Sequence, residues 1–298
     1  MILVTGSSGF VGPYLQQELT AHGLKSLGTA NSGQADFKLD ITDKNAVDSI
    51  IKQIKPDYVI HLAGFSSVKE SFTHADLCRR VNVEGTRNLL AAIKNYVPQA
   101  RVLIVSSSEI YGNPKYLPVN EQHPFNPLSP YAESRVEQEK LVKSSDLNWI
   151  IARSFNHIGP GQQLGFVSGD CARQIAMVNK NPKLPAVMKV GNTGAYRDFS
   201  DVRDVVAAYR LLITKGRLKN IYNVCSGKAV RISRLINTLL SFSKVKIAVE
   251  TDPRFFRPVE IKKIEGDNSK LKHDLNWRPV FKIEKTLRDI YQYWLKKV

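Results

Sequence analysis

The sequence predicts an α/β protein built on a doubly wound parallel sheet, and two observations predict it. A short apolar run, "MILVT" at 1–5, empties into the glycine turn "GSSGFVG" and from there into a helical pattern. Strand-like and helix-like segments then alternate as far as about residue 108. Alternation of this kind places strands side by side in a parallel sheet covered by helices on both faces, with ligands at the carboxyl ends of the strands.

The elements follow in order. "FVGPYLQQELTAHG" spaces Val11, Leu15 and Leu19 along one helical face and stops at Gly23. Strand, glycine turn and helix is the order that a phosphate-binding crossover needs. Gly6 lets the chain turn sharply, Gly9 removes the side chain that would block a pyrophosphate, and Gly12 lets the helix pack close to the strand. Such glycine patterns also occur in ordinary loops, so the position between a strand and a helix carries the weight. Next come "LKSLGTA" as a strand, "DKNAVDSIIKQI" as a helix, "DYVIHLAG" as a strand, "ADLCRRVNVEGTRNLLAAIKNY" as one long helix and "RVLIVSSS" as a strand. "LSPYAESRVEQEK", 128–140, reads as a helix opened by Ser129 and Pro130, with Tyr131 and Arg135 four apart on one face. "WIIARSFNHIGPGQQLGFVSGDCARQIAMV", 149–178, reads as a strand, a loop broken at Gly159, Pro160 and Gly161, and an amphipathic helix.

Composition narrows the function. At 298 residues, 43% hydrophobic and 23% charged, the chain has the make-up of an ordinary soluble globular protein of one large or two modest domains. No window approaches 18 uninterrupted apolar residues and the N-terminus lacks a basic leader, so no membrane partner and a cytoplasmic location are expected. Cys78, Cys171 and Cys225 are odd in number and widely spaced, which suits buried thiols rather than a disulfide framework or a zinc site. The six histidines are scattered, and no metal is expected. The formal charge of +16 comes from dispersed lysines without a run of five like charges. That suits a solvated basic surface first, steering of a phosphate-bearing substrate second, and nucleic acid a distant third.

The ordered motifs "TGSSGFVG", "LDITD", "HLAG", "VNVEGT", "SSSEIYG" and "SPYAESR" resemble the extended short-chain dehydrogenase/reductase family, its nucleotide-sugar epimerases, dehydratases and reductases. "SFNHIGPGQ", "KVGNTGAYRDFSDVRDVVAAY", "YNVCSG" and "RPVEIKKIEGDNSKLKHDLNWRP" extend the resemblance over nearly the whole chain, toward the branch acting on GDP-mannose derivatives. The resemblance implies a Rossmann-like dinucleotide-binding domain, 1–154 with about 195–216, and a smaller α/β C-terminal lobe, 155–194 and 217–298, for the nucleotide sugar. It implies reduction by NAD(P)H of the C4 ketone of GDP-4-keto-6-deoxy-D-mannose, with 4,6-dehydration of GDP-mannose as the alternative within the family. A homodimer through a four-helix bundle is implied as well.

In that family the tyrosine matched by Tyr131 exchanges a proton with the substrate oxygen, and Ser107 matches the hydroxyl that holds the same oxygen. Glu109 matches the dehydratase base. Arg135 stands where the family carries lysine, which holds the nicotinamide ribose and lowers the tyrosine's pKa. Arginine keeps the charge, yet it is longer, planar and a poor proton relay. Two other readings follow from it: a non-catalytic nucleotide-binding protein, or an ordinary helix pair with Arg135 bonded to Glu139.

The resemblance also implies the binding residues. The cofactor would meet Gly6, Ser8, Gly9, Phe10, Val11 and Gly12 of the glycine turn, Asn31, Asp40 and Ile41 further round, Leu62, Ala63 and Gly64, then Ser106, and Phe155, Asn156 and His157 beside the nicotinamide. "GTANSGQ" offers no acidic residue to repel a 2'-phosphate, which favours NADPH and leaves NADH open. The sugar nucleotide would meet Ser66, Ser107, Ser108, Glu109 and Asn156, with Phe166 and Val167 at the entrance. Val190 and Asn192 would lie near guanine, Arg197 and Arg257 at the diphosphate, and Glu260 at ribose or sugar hydroxyls.

Overall fold

A computed structural model describes residues 1–181, 183–256 and 259–298. The N-terminal half runs β1 (Ile2–Thr5), α1 (Val11–Ala21), β2 (Ser26–Ala30), β3 (Phe37–Lys38), α2 (Lys44–Ile54), β4 (Tyr58–His61), α3 (Val68–Ser71), α4 (Ala75–Arg79), α5 (Gly85–Tyr96), β5 (Arg101–Ser107) and α6 (Pro130–Lys143). The chain continues through β6 (Asn148–Ser154), β7 (Asn156–Ile158), α7 (Val167–Lys180), β8 (Val187–Val190), β9 (Tyr196–Asp201), α8 (Val202–Lys215) and β10 (Asn220–Val224). It ends with β11 (Ala229–Arg231), α9 (Ile232–Leu240), β12 (Ala248–Thr251), α10 (Ser269–Leu275) and α11 (Ile283–Lys297).

Seven strands form one sheet in the order β10-β6-β5-β4-β1-β2-β3, parallel throughout. The order reverses between β1 and β4, so a crevice opens at their carboxyl ends. Both faces are covered, as the apolar runs of β1, β4, β5 and β6 require. On one face Val4, Ile60, Leu103 and Ile150 pack with Leu15, Leu19, Tyr209 and Leu212; on the other, Leu3, Val59, Val102 and Ile104 pack with Val47, Ile51, Leu89 and Ile93. Local chemistry starts the helices: Asp43 accepts from Asn45 and Ala46 N–H ahead of α2, and Ser129 accepts from Ala132 N–H ahead of α6, where Pro130 takes the first turn.

A second core gathers α7, α9 and α11 around β8 and β9, with Ile175, Met188, Leu235, Leu239 and Leu287 buried together. Asp198 joins this part to the sheet: its carboxylate accepts from Ser226 N–H and Oγ (2.8 and 2.6 Å), Gly227 N–H (3.0 Å) and Gly266 N–H (3.1 Å). The three cysteines are buried free thiols, and no helix among the described residues is long and apolar enough to cross a membrane.

The helix expected to run unbroken over 75–96 differs. A wider π turn, Arg80–Glu84, separates α4 from α5. It buries Asn82, which accepts from Phe65 N–H (2.8 Å) and donates to Ser134 Oγ (2.9 Å). Turns of this kind recur at functional sites because they re-aim a side chain without ending the helix.

Candidate active site

The glycine turn is shaped by two requirements. Gly6 has φ of +71°, and a Cβ there would lie 2.6 Å from Ala63 N; a Cβ on Gly12 would lie 2.0 Å from Ser7 O. Both glycines are demanded by the protein's own packing. At Gly9 a Cβ would approach Gly6 O alone, at 3.3 Å. Its outer side is clear of protein, as a cradle for a pyrophosphate at the N-terminus of α1 requires. Ser8 Oγ donates to Ser32 O (2.6 Å), which ties the glycine turn to the turn after β2 where Asn31 is exposed. Asp40 accepts from Thr42 N–H and Oγ (2.9 and 2.8 Å).

Phe10 stacks on His157 with ring centroids 6.1 Å apart and planes 5° from parallel. His157 Nδ1 lies 3.0 Å from Phe155 O and must carry the proton to bond there. Burial lowers the pKa of His157, which keeps the ring neutral. Tyr14 O–H donates to Pro160 O (2.7 Å), so α1 and the loop after β7 are held together.

Tyr131 and Arg135 emerge from the first turns of α6 and are 7% and 6% exposed. The Arg135 Cζ lies 5.3 Å from the centre of the Tyr131 ring. Nη1 donates to Val105 O (3.1 Å) and Gln138 Oε1 (2.9 Å), and Nη2 to Phe65 O (3.4 Å). Arg135 Nε is buried without a hydrogen-bond partner among the described residues. A buried cation with an unsatisfied N–H beside a tyrosine fits the hydroxyl-rich ribose of a nicotinamide cofactor. Glu139 does not take Arg135: it binds Arg153 and Ser106 instead (2.8–2.9 Å), so the expected Arg135–Glu139 bond does not form.

Space around the guanidinium is tight. A Cβ on Gly64 would sit 2.6 Å from Arg135 Nη2 and 3.0 Å from Asn82 Oδ1. Gly64→Ala is expected to displace the guanidinium and weaken cofactor binding by about tenfold, the scale of one lost charged hydrogen bond. Titration of nucleotide against the nicotinamide fluorescence checks it, and unchanged affinity would show that the arginine yields freely.

Ser107 ends β5 and is 8% exposed; its Oγ accepts from Glu109 N–H (3.2 Å). Glu109 lines a narrow cleft with Val68, Phe72, Leu128, Ser129, Val259 and Ile261. The structure therefore gathers Tyr131, Ser107, Arg135 and the glycine turn at one end of the sheet, with Glu109 in the cleft beside them.

Other expected contacts fall elsewhere. Ile41 is packed in the core against the α-carbon of Gly85, where a Cβ would meet its Cγ2 at 2.7 Å. Ser106 turns its hydroxyl to Glu139, Phe155 is 1% exposed among Tyr111, Cys225 and Ile264, and Val190 is 4% exposed in the second core. Each had been expected at a ligand; alternation along β5 and β8 turns Ser106 and Val190 inward, and Ile41 and Phe155 are drawn in by the apolar clusters they join. Ser108 is buried, while Ser66 is exposed; Phe166 and Val167 open α7, and Asn192 accepts from Gly194 N–H (2.8 Å). Arg197 donates to Tyr196 O (2.9 Å), Ile261 O (2.6 Å) and Glu260, so the two residues assigned separate ligand roles form an ion pair. Arg257 lies outside the described residues.

Sequence reasoning missed a buried polar chain behind Arg135. Gln138 Nε2 donates to Thr86 Oγ1 (2.7 Å), which is shared with His61 Nε2 (3.1 Å), and His61 Nδ1 meets Thr5 Oγ1 (2.7 Å). Burial, with Arg135 nearby, drives the pKa of His61 down to about 3. Between there and its ordinary 6.5 the unfolded chain binds a proton that the folded chain refuses, so stability falls as pH drops through that window. Urea midpoints measured from pH 7 to pH 4 are expected to decline, and His61→Gln to decline less steeply by about one proton. Equal slopes would remove His61 as the source.

A glycine turn, a buried tyrosine and cation, and a serine at the same sheet end define an oxidoreductase site of the extended short-chain dehydrogenase/reductase class. The family model described as GDP-mannose 4,6 dehydratase matches residues 3–290, and the chain belongs to that family. The GDP-6-deoxy-D-mannose reductase of Pseudomonas aeruginosa is 34% identical, with all of this chain and 98% of that protein covered. The GDP-mannose 4,6 dehydratase of Cricetulus griseus is 26% identical over 97% of this chain and 90% of its own. Among solved structures, RMD from Pseudomonas aeruginosa complexed with NADPH superposes with a TM-score of 0.89 at 33% identity, covering 100% and 99% of the two chains. The UDP-glucose 4-epimerase of Thermus thermophilus in complex with NAD superposes at 0.87 and 26% identity, covering 100% and 99%.

Proposed function

We propose that the protein reduces the C4 ketone of GDP-4-keto-6-deoxy-D-mannose with NADPH, giving GDP-D-rhamnose or its C4 epimer. The observation that carries this reading is the full-length similarity to a GDP-6-deoxy-D-mannose reductase, joined to a Tyr131–Arg135–Ser107 site at the crevice. NADPH is favoured because the one acidic residue in the turn after β2, Asp36, has its carboxylate held by Gly28 N–H (2.6 Å) and is not presented to a 2'-phosphate.

The bound nicotinamide would supply the hydride. Tyr131 gives its phenolic proton to the C4 oxygen while the Ser107 hydroxyl donates to the same oxygen, and Arg135 holds the ribose through its Nε–H. The fixed positive charge next to Tyr131 stabilises the phenolate left behind, and arginine carries that charge as lysine would. The Arg197–Glu260 pair bounds the diphosphate side, with Arg257 assigned to the same group. Residues 1–154 with about 195–216 hold the dinucleotide, and 155–194 with 217–298 the sugar nucleotide. A cytoplasmic homodimer through α4, α5 and α6 completes the proposal. On that face Arg79 pairs with Glu137 (2.5 Å) and Arg87 with Glu84 (2.9 Å) within the chain.

Glu109 in the cleft keeps 4,6-dehydration as a second reading. One assay separates them: purified protein with the keto sugar and NADPH, and separately with GDP-mannose and cofactor. Cofactor oxidised in proportion to product identifies the reductase. Keto sugar formed from GDP-mannose without net oxidation identifies the dehydratase. Silence in both, with cofactor bound, leaves a non-catalytic binder.

A further inference from the structure

We propose that Gln138 is the positioning residue that lets an arginine serve at the tyrosine site. The proposal rests on the reading that Arg135 faces the cofactor. Gln138 is fully buried, and both ends of its amide are in use: Oε1 accepts from Arg135 Nη1 (2.9 Å) and Nε2 donates to Thr86 Oγ1 (2.7 Å).

The chain beyond it has one self-consistent set of protons. Thr86 O–H donates to Asn82 O (2.7 Å), so its oxygen accepts from Gln138 and from His61 Nε2–H (3.1 Å). His61 Nδ1 then accepts from Thr5 O–H (2.7 Å), and Thr5 Oγ1 accepts from Ala63 N–H (3.3 Å). Ala63 is the residue on which Gly6 packs, and Thr5 immediately precedes that glycine. The guanidinium is thereby referenced to β1, β4 and α5, the same frame that shapes the glycine turn. Each link is spoken for, so the chain fixes geometry rather than conducting a proton.

Arginine needs such a frame where lysine does not. A planar fork delivers its donors in fixed directions, and rotation about its long stem would swing Nε away from the ribose. An ammonium is a compact charge with three rotatable donors and tolerates a less defined seat. Gln138 supplies the acceptor on the side of α6; Val105 O and Phe65 O supply the others.

The test is a double-mutant comparison of Gln138→Leu and Gln138→Glu, each with Arg135 and with Arg135→Lys. It reads NADPH affinity by fluorescence, independently of turnover, together with kcat and KM for the keto sugar. With arginine present, Gln138→Leu is expected to weaken NADPH binding and lower kcat by about tenfold or more, the scale of a lost charge-assisted hydrogen bond. Gln138→Glu keeps the acceptor for Arg135 but loses the donor to Thr86, and is expected to fall between the parent and Gln138→Leu in both. With lysine present, the change to leucine is expected to cost about threefold or less, because the fork it orients is gone. Equal losses in both backgrounds would reduce Gln138 to a packing residue, and no loss in the arginine background would overturn the proposal outright. Absent turnover in every protein, with the affinity pattern intact, would count against the reductase reading and leave the positioning role standing.

Discussion

Tyr131→Phe is expected to lower kcat for the keto sugar by roughly 100- to 10,000-fold, the range for loss of a general acid, while NADPH affinity stays within about threefold. Binding should survive because phenylalanine keeps the ring. The ring is 7% exposed and lies against the guanidinium, with Cζ 5.3 Å from its centre, so the packing and cation–π contact of Arg135 remain. Only the O–H, the proposed proton donor to the substrate oxygen, is lost. A loss confined to kcat would place Tyr131 in proton transfer. A loss shared equally between KM and NADPH affinity would make the phenol a binding group, and near-normal turnover would move the acid elsewhere in the cleft, with Glu109 first in line.

Glu139→Ala is expected to destabilise the protein by about 3–5 kcal/mol, the cost of stranding a buried cation. Arg153 is 1% exposed and Glu139 is completely buried. Arg153 Nε and Nη2 donate to the two carboxylate oxygens at 2.9 and 2.8 Å, Ser106 Oγ donates at 2.8 Å, and Lys143 Nζ lies at 3.3 Å. Burial alone would favour the neutral acid, but Arg153 and Ser106 outweigh it and hold the Glu139 carboxyl below the ordinary glutamate range. Removing the carboxylate leaves Arg153 with Tyr111 O–H (2.9 Å) and Glu121 O (2.8 Å) and no counter-charge. Urea denaturation measures the effect. Glu139→Leu with Arg153→Met should recover much of the loss, because apolar replacement of both members removes the stranded charge. A drop under about 1 kcal/mol for the single variant would mean that water reaches Arg153. The pair braces the C-terminal end of β5 through Ser106, so the same variant should also loosen Ser107 and reduce turnover.

Much of the site was legible in sequence because it depends on neighbours a few residues away. Gly6, Gly9 and Gly12 fall between β1 and α1, Ser129 and Pro130 start α6, and Tyr131 and Arg135 share a face because they are four apart on it. The alternation of apolar strands and amphipathic helices determined the parallel sheet, and with it the end of the sheet where ligands collect. β3 escaped because two residues carry no periodicity.

What only the tertiary structure decided is who partners whom. Arg135 had a glutamate four residues on in sequence, yet its acceptors are Gln138 and the carbonyls of Val105 and Phe65, the last two 30 and 70 positions distant. Glu139 goes to Arg153, Arg197 to Glu260, and Ser106 to the interior rather than the crevice. The π turn at Arg80–Glu84 brings Asn82 inward, and no local propensity announces it. The physical reason is common to all of these. Local spacing fixes the direction in which a side chain leaves its own element, whereas a buried donor or acceptor must be satisfied by whatever the packed neighbours present. Around α6 those neighbours come from β5, β6, α5 and the loop after β4, which meet the helix only when the sheet is assembled.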